Sequence, residues 1–120
     1  MRKQIMLLEN EDEARSVLAE HLREAGYSVI TPVDGYVGLE IASEKPLDLI
    51  LLNDLMPIID GADFIRSLRA SGIKAPAIIF TQTNGGANTA KFEMLAPYML
   101  IPKPFQIDTL LKKVSHLISS

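Results

Sequence analysis

The chain has 120 residues, a length typical of one domain, and we treat residues 1–120 as a single unit. Apolar residues make up 48% of it, enough to fill a core, and the absence of cysteine excludes thiol catalysis, disulfides and thiolate metal sites. The 12 basic and 15 acidic side chains give a net charge of -3, which lacks the basic footprint of a nucleic-acid binder. Only four consecutive apolar residues follow the N-terminal Met-Arg-Lys-Gln, too few for a signal peptide or a membrane span, so we expect a cytoplasmic protein without membrane attachment.

Apolar runs of strand length alternate five times with amphipathic stretches of helix length. The first helix has Asp12 as a plausible N-cap and Gly26 as its stop, and the fourth helix is the weakest because two glycines stand at its start. The predicted strands are 3–8, 27–31, 48–53, 76–81 and 98–101, and the predicted helices are 12–25, 35–43, 62–70, 85–95 and 105–118.

The third strand contains the unbroken apolar run 49–52, which is typical of a strand buried on both faces. Buried strands that alternate with helices require a parallel sheet covered on both sides, and right-handed crossovers favour an α/β doubly wound architecture. We therefore predict either a flavodoxin-like (βα)5 fold with strand order 2-1-3-4-5 or a small Rossmann variant. Ligands of such sheets bind outside the carboxyl ends of the strands, so the residues just after each strand are the candidates for function.

Polar side chains follow four of the predicted strands. They are Glu9 and Asn10, Asn53 and Asp54, Thr81, and Lys103 with Pro104. The segments LENEDEAR at 8–15 and DLILLNDLMPIIDG at 48–61, together with Thr81 and Lys-Pro-Phe at 103–105, closely resemble the receiver domains of two-component response regulators. The resemblance covers the whole chain and implies a signalling module rather than an enzyme.

In that family an acidic pair after the first strand and an aspartate after the third hold Mg²⁺, and the aspartate accepts a phosphoryl group. The family aspartate stands four residues before the proline, and that position is Asn53 here. The second acid of the pair stands five residues before an arginine, and that position is Asn10. Glu9, Thr81 and Lys103 match the family, whereas the switch aromatic three residues before the lysine is Leu100.

Replacing two carboxylates by carboxamides changes the chemistry that this pocket can support. An acyl phosphate needs an anionic oxygen as nucleophile, and a carboxamide is far poorer. Mg²⁺ prefers one or two carboxylates from the protein, and Glu9 together with Lys103 already sums to zero charge. We therefore predict weak or absent Mg²⁺ binding, no cofactor, and a receiver domain independent of phosphorylation, with Lys103 paired to Glu9 or to the Asn53 carbonyl oxygen.

Asp54 is the one carboxylate that could substitute for the missing phosphoacceptor. It follows Asn53 directly, and successive side chains of a strand point to opposite faces. We therefore expect Asp54 to be misplaced for that chemistry.

The predicted partners are proteins: a histidine kinase, a phosphotransfer protein or an output protein, with a homodimer as a further option. Families of this kind commonly signal through the fourth helix, fifth strand and fifth helix, here residues 87–118. The apolar residues available there for a contact patch are Phe92, Met94, Leu95, Tyr98 and Met99.

Two alternatives remain open at this point. The first is a conventional phosphoacceptor whose aspartate was changed to Asn53 by engineering, although Asn10 would then require a second change. The second is a small-molecule binder on a flavodoxin-like sheet, although no Gly-x-Gly-x-x-Gly or Gly-Lys-Ser/Thr loop follows any strand.

Overall fold

The computed structural model describes residues 2–82 and 89–119. Strands and helices alternate along the chain, with one short 3-10 helix at Thr89–Phe92 before the last strand. The elements are β1 (Gln4–Leu8), α1 (Asp12–Glu24), β2 (Ser28–Ile30), α2 (Gly35–Glu44), β3 (Leu49–Asn53), α3 (Gly61–Ala70), β4 (Ala77–Thr81), β5 (Tyr98–Pro102) and α4 (Ile107–Ser119).

The five strands form one parallel sheet in the order β2-β1-β3-β4-β5. The flavodoxin-like prediction is confirmed, and the order is not that of the Rossmann alternative. In the register of the sheet Leu8 lies beside Leu52, and Asn53 lies beside Phe80. The carboxyl ends of β1, β3 and β4 therefore reach the same edge, which brings the predicted polar residues together.

Side chains of the strands alternate between two cores, one on each face of the sheet. Every residue of β3 is buried, because both faces are covered by helices. Each fully buried Leu or Ile contributes roughly 2 kcal/mol of hydrophobic stabilisation. The first core packs Met6, Ile50, Ile79, Phe64 and Phe92 against α2, α3 and the 3-10 helix, and the second packs Ile5, Leu7, Leu51, Leu22 and Val114 against α1 and α4.

Helix α2 packs closely on the segment that leads into α3 because two of its residues are glycines. A Cβ atom at Gly35 would collide with the Ile59 side chain, and one at Gly38 would lie 3.1 Å from the Phe64 ring. The missing side chains let the β2–α2 and β3–α3 loops approach each other. These two loops form one border of the carboxyl edge.

Arg69 on α3 ties down the segment that precedes β5. Its guanidinium donates hydrogen bonds to the carbonyl oxygens of Ile73, Ala75, Leu95 and Pro97 at 2.8–2.9 Å. Burial lowers the pKa of Arg69 below its ordinary value. These four bonds satisfy carbonyl groups of two connections at once and so set the position of the 3-10 helix relative to α3.

The predicted fourth helix over 85–95 is wrong in its described part, and residues 85–88 lie outside the described residues. Within residues 89–95 the helical structure is a 3-10 helix at Thr89–Phe92, and Met94 then adopts a left-handed backbone with φ 71°. The Leu95 backbone N–H still donates to the Phe92 carbonyl oxygen at 3.0 Å, but a left-handed residue cannot continue a right-handed helix, so no α-helix forms over this stretch.

Helix α1 begins at Asp12 as predicted, but the predicted N-cap is wrong. Its N-cap residue is Glu11, without a side-chain capping bond, and Asp12 occupies the first helical position and pairs with Arg15 at 2.6 Å. The buried stripe consists of Leu18, Ala19 and Leu22, whereas Val17 is 47% exposed.

No helix within 2–82 and 89–119 is long and apolar enough to cross a membrane.

Candidate functional site

The carboxyl ends of the strands enclose a cavity of about 120 Å³. Five of the predicted site residues line it, namely Glu9, Asn10, Asn53, Asp54 and Lys103. Sequence reasoning had placed each of them at the end of a strand, and the parallel register brings these ends together. The cavity is therefore the candidate functional site.

Glu9 is the centre of the hydrogen-bond network in this cavity and is only 6% exposed. Its Oε1 accepts from the Lys103 ammonium at 2.8 Å, and its Oε2 accepts from the Asn53 amide at 3.0 Å and from the Glu11 backbone N–H at 3.1 Å. Burial acts to raise the pKa of Glu9, but the hydrogen bonds from Lys103, Glu11 and Asn53 outweigh it, so the pKa falls below its ordinary value. Glu9 is therefore held as a carboxylate. Of the two partners predicted for Lys103, Glu9 and the Asn53 carbonyl oxygen, the Lys103 ammonium binds Glu9.

Asn53 uses both N–H bonds of its carboxamide inside the cavity. One points to Glu9 Oε2 and the other to Asn10 Oδ1, each at 3.0 Å. The reverse orientation of the amide would place its oxygen against the Glu9 carboxylate, so the hydrogen bonds select the observed one. Asn53 Oδ1 is buried and has no hydrogen-bond partner among the described residues. An aspartate at this position would have no proton to donate to either neighbour.

Asp54 lies beside Asn53 but faces another cation. Its Oδ1 is 2.5 Å from the Lys91 ammonium of the 3-10 helix, an ion-pair contact without the directionality of a hydrogen bond. Its backbone N–H donates to the Phe80 carbonyl at 2.9 Å, which continues the β3–β4 pairing by one residue. The alternation of strand side chains accounts for the different partners of Asp54 and Asn53.

Sequence reasoning missed Lys91, the cation that pairs with Asp54, and also Leu55, Phe80 and Gln82, which line the cavity. Lys91 stands in the weak helical stretch, where nothing in the local pattern distinguishes it from a solvated lysine. The only signal that could have found it is Asp54, because a carboxylate buried at the end of a strand needs a cation on its own side of the sheet.

Two other predicted residues, Thr81 and Leu100, are not among the described residues that line the cavity. Thr81 is 7% exposed at the end of β4, and its carbonyl oxygen accepts from the Lys103 backbone N–H at 2.8 Å. Leu100 is half-buried and packs with Tyr98 in the core beneath α2 and α3. Thr81 thus helps to align Lys103 through its backbone, and Leu100 acts as a core residue.

Two of the three carboxylates that line the cavity, Glu9 and Asp54, are each paired with a cation, whereas the third, Glu11, is exposed. Glu9 pairs with Lys103 across β1 and β5, and Asp54 pairs with Lys91 of the 3-10 helix. Each pair joins one carboxylate to one ammonium, so the two pairs together are neutral. The cavity therefore presents no uncompensated carboxylate from these two pairs.

The predicted contact patch is smaller than its sequence suggested. Phe92 and Leu95 are buried in the core, and Tyr98 and Met99 are half-buried. Of these five residues only Met94 is exposed to solvent, at 96% of its surface. Residues 87 and 88 of the predicted partner surface lie outside the described residues.

Comparison with known proteins agrees with this geometry. The chain is 30% identical over 116 residues to the transcriptional regulatory protein PcoR of Escherichia coli. The aligned region covers 97% of this chain and 51% of PcoR. The chain spans about half the length of the curated relatives it matches.

Two solved receiver domains are similar over nearly their full length. The receiver domain of the hybrid histidine kinase CckA is 32% identical, with a TM-score of 0.78 and coverage of 96% of this chain and 98% of that one. The receiver domain of the sensor histidine kinase PA1611 from Pseudomonas aeruginosa PAO1, with a magnesium ion coordinated in its active-site cleft, is 25% identical with a TM-score of 0.88 over all of both chains. The model of the response regulator receiver domain matches residues 5–115. The chain therefore belongs to the family of response regulator receiver domains of two-component signalling.

Proposed function

We propose that this receiver domain is a cytoplasmic protein-interaction module that works in two-component or phosphorelay signalling without accepting a phosphoryl group and without enzymatic activity. The observation that supports the proposal best is the Asn53 amide, which donates hydrogen bonds to Glu9 and Asn10 at the position of the family's phosphoacceptor. The cytoplasmic setting rests on the composition of the sequence.

The first argument concerns the nucleophile. Attack on a phosphoryl group requires an oxygen with an available negative charge, and a carboxamide has none. Asp54 follows Asn53 just beyond the end of β3 and lines the same cavity, but its carboxylate pairs with Lys91 at 2.5 Å. Use of Asp54 would require breaking this ion pair and turning the side chain toward Glu9.

The second argument concerns the metal. The PA1611 receiver domain holds magnesium in its cleft, so receiver domains can bind this ion, and the donor atoms decide whether a given one does. Here Glu9 is bonded to Lys103, Asp54 is paired with Lys91, and the two family acid positions carry the neutral amides of Asn10 and Asn53. The other carboxylate that lines the cavity, Glu11, is exposed to solvent. Mg²⁺ loses its hydration shell reluctantly and favours carboxylates, so this donor set does not fit it.

The third argument concerns how a signal would pass without phosphorylation. A partner that binds one of two conformations more tightly shifts the population toward it, with no covalent step. We propose a histidine kinase, a phosphotransfer protein or an output protein as the partner, on the surface of the 3-10 helix, β5 and α4 where Met94 is exposed. A homodimer through the same surface is included in this proposal.

The proposal is tested by offering the domain a small phosphodonor. The purified chain is incubated with acetyl phosphate or phosphoramidate and Mg²⁺, beside an Asn10→Asp/Asn53→Asp double variant that restores both carboxylates. We expect the double variant to gain one phosphoryl mass and the parent to gain none. A phosphoryl group mapped to Asp54 or Asn53 of the parent would overturn the proposal, and beryllofluoride titration with Mg²⁺ followed by NMR gives an independent readout.

A further inference from the structure

An apolar notch adjoins the candidate site between the β2–α2 and β3–α3 loops, and Glu9 and Asn10 of that site form part of its wall. The notch is a cavity of about 70 Å³ whose apolar lining comes from Pro32, Val33, Met56, Pro57 and Ile58. Val33 is 85% exposed and Ile58 is 69% exposed, so two branched aliphatic side chains stand at its mouth. We call this feature the apolar notch.

Ile58 occupies a backbone conformation that does not suit it. Its φ is 76°, in the left-handed region, where a β-branched residue is a genuine outlier and glycine would fit without strain. Its side chain gains little from burial in this chain, because most of its surface is exposed. Strained residues of this kind are enriched at ligand clamps and switches. A contact with another molecule would give Ile58 the burial that the chain does not provide.

The charges around the notch restrict the kind of molecule that can bind there. Asp34 lines the notch, Asp60 stands two residues after Ile58, and Glu11 is exposed next to Asn10. Asp34 and Asp60 each use one carboxylate oxygen to cap a helix, accepting from the backbone N–H groups of Val37 and Asp63. Lys103 and Arg15 are already paired with Glu9 and Asp12. The excess of carboxylates favours a cationic partner and disfavours nucleic acids and anionic membranes.

The size of the notch restricts the partner further. Pockets for drug-sized ligands measure about 300–1,000 Å³, several times the volume found here. The notch therefore suits one inserted side chain rather than a cofactor. An aliphatic side chain can fill it while lysine or arginine neighbours meet the surrounding carboxylates.

We propose that the apolar notch is a docking site for a partner polypeptide that inserts a branched aliphatic side chain flanked by lysine or arginine residues. Val33 and Ile58 contact this side chain. The carboxylates of Glu11, Asp34 and Asp60 attract its cationic neighbours. The proposal concerns a different surface from Met94 and does not depend on the chemistry at Asn53.

The test uses the peptide acetyl-Lys-Lys-Leu-Lys-Lys-amide as a probe and follows backbone amide shifts of the isotope-labelled chain by NMR. Two control peptides replace the leucine by serine or all lysines by glutamate. We expect the largest shifts at the notch, with binding at least about tenfold weaker for each control peptide because each removes one of the two attractions. Added salt weakens the binding of the parent peptide.

The decisive variant is Ile58→Gly, which removes the side chain and relieves the left-handed strain, so loss of folding does not confound the result. Val17→Ala is the control, because Val17 is also an exposed branched aliphatic residue, lies on α1 and does not line the notch. We expect Ile58→Gly to weaken binding about tenfold and Val17→Ala to leave it unchanged. Absence of binding, equal binding by Ile58→Gly, a preference for the glutamate peptide, or the largest shifts away from the notch would each overturn the proposal.

Discussion

Asn53 and Asp54 are neighbours in the chain, yet they belong to two regions that neutralise charge in different ways. On the Asn53 side, the ends of β1, β3 and β5 supply a network in which the pair Glu9–Lys103 is joined by an amide. On the Asp54 side, one carboxylate meets one lysine of a short 3-10 helix. The first region is built from strand ends held by the sheet, and the second depends on a segment that Arg69 ties to α3.

The comparison teaches that burial, more than distance, separates the two ion pairs. The Asp54–Lys91 contact is the shorter, at 2.5 Å against 2.8 Å. The Glu9 side chain is nevertheless only 3% exposed and the Asp54 side chain 11%. A more deeply buried carboxylate loses more when its partner is removed. Changes on the Asn53 side should therefore cost more stability than changes on the Asp54 side.

The largest effect is expected for Asn53→Asp. The substitution replaces a donor by a second carboxylate next to Glu9, so it removes a charge-assisted hydrogen bond and adds like-charge repulsion in a buried position. We expect a loss of about 3 kcal/mol in the free energy of unfolding, measured by urea denaturation with EDTA. Mg²⁺ should raise the Tm of this variant and not that of the parent. Equal stability of variant and parent would show that the hydrogen bonds donated by Asn53 are not needed for stability.

Lys103→Met should have the next largest effect. It leaves Glu9 buried without its cation, and we expect a loss of about 2 kcal/mol, below the range for fully buried pairs because Lys103 is partly exposed. Adding Glu9→Gln should recover most of this loss, since a neutral amide needs no cation. Urea denaturation of both single variants and the double variant measures the coupling. Additive losses would show that the two side chains do not act as a pair.

Lys91→Met tests the other region, and we expect a smaller loss of about 1 kcal/mol. The exposed Lys74 provides the control, because Lys74→Met should change stability little. Hydrogen exchange should quicken most at the 3-10 helix and at Asp54. A loss as large as that of Lys103→Met would remove the distinction drawn between the two regions.

The smallest effect concerns pH and the carboxylate of Glu9. Because the folded pKa of Glu9 lies below its ordinary value of 4.5, its stabilising contribution is present above pH 4.5 and is lost as the pH falls through the folded pKa. Glu9→Gln should therefore show a shallower decline of Tm with acidification below pH 4.5 than the parent. Asp12→Asn is the control, since Asp12 is highly exposed. Identical pH profiles of parent and Glu9→Gln would contradict the inferred direction.

Much of this protein is determined by the sequence alone. Strand alternation and buried apolar runs predict the parallel sheet, because side-chain period and burial are local properties of the chain. The same rule predicts that Asn53 and Asp54 differ in direction, and the resemblance to receiver domains identifies Glu9, Asn10 and Lys103 as neighbours. The choice of Glu9 over the Asn53 carbonyl oxygen as the partner of Lys103 required the three-dimensional arrangement.

Only the tertiary structure decided the remaining features. Lys91 reaches Asp54 through the folding of a segment that is weakly helical in sequence, and Phe92 is buried although its neighbour Met94 is exposed. The left-handed backbone of Ile58 likewise has no signal in its residue type, which disfavours that conformation. Such features depend on where distant parts of the chain meet, and a local pattern of residues does not contain that information.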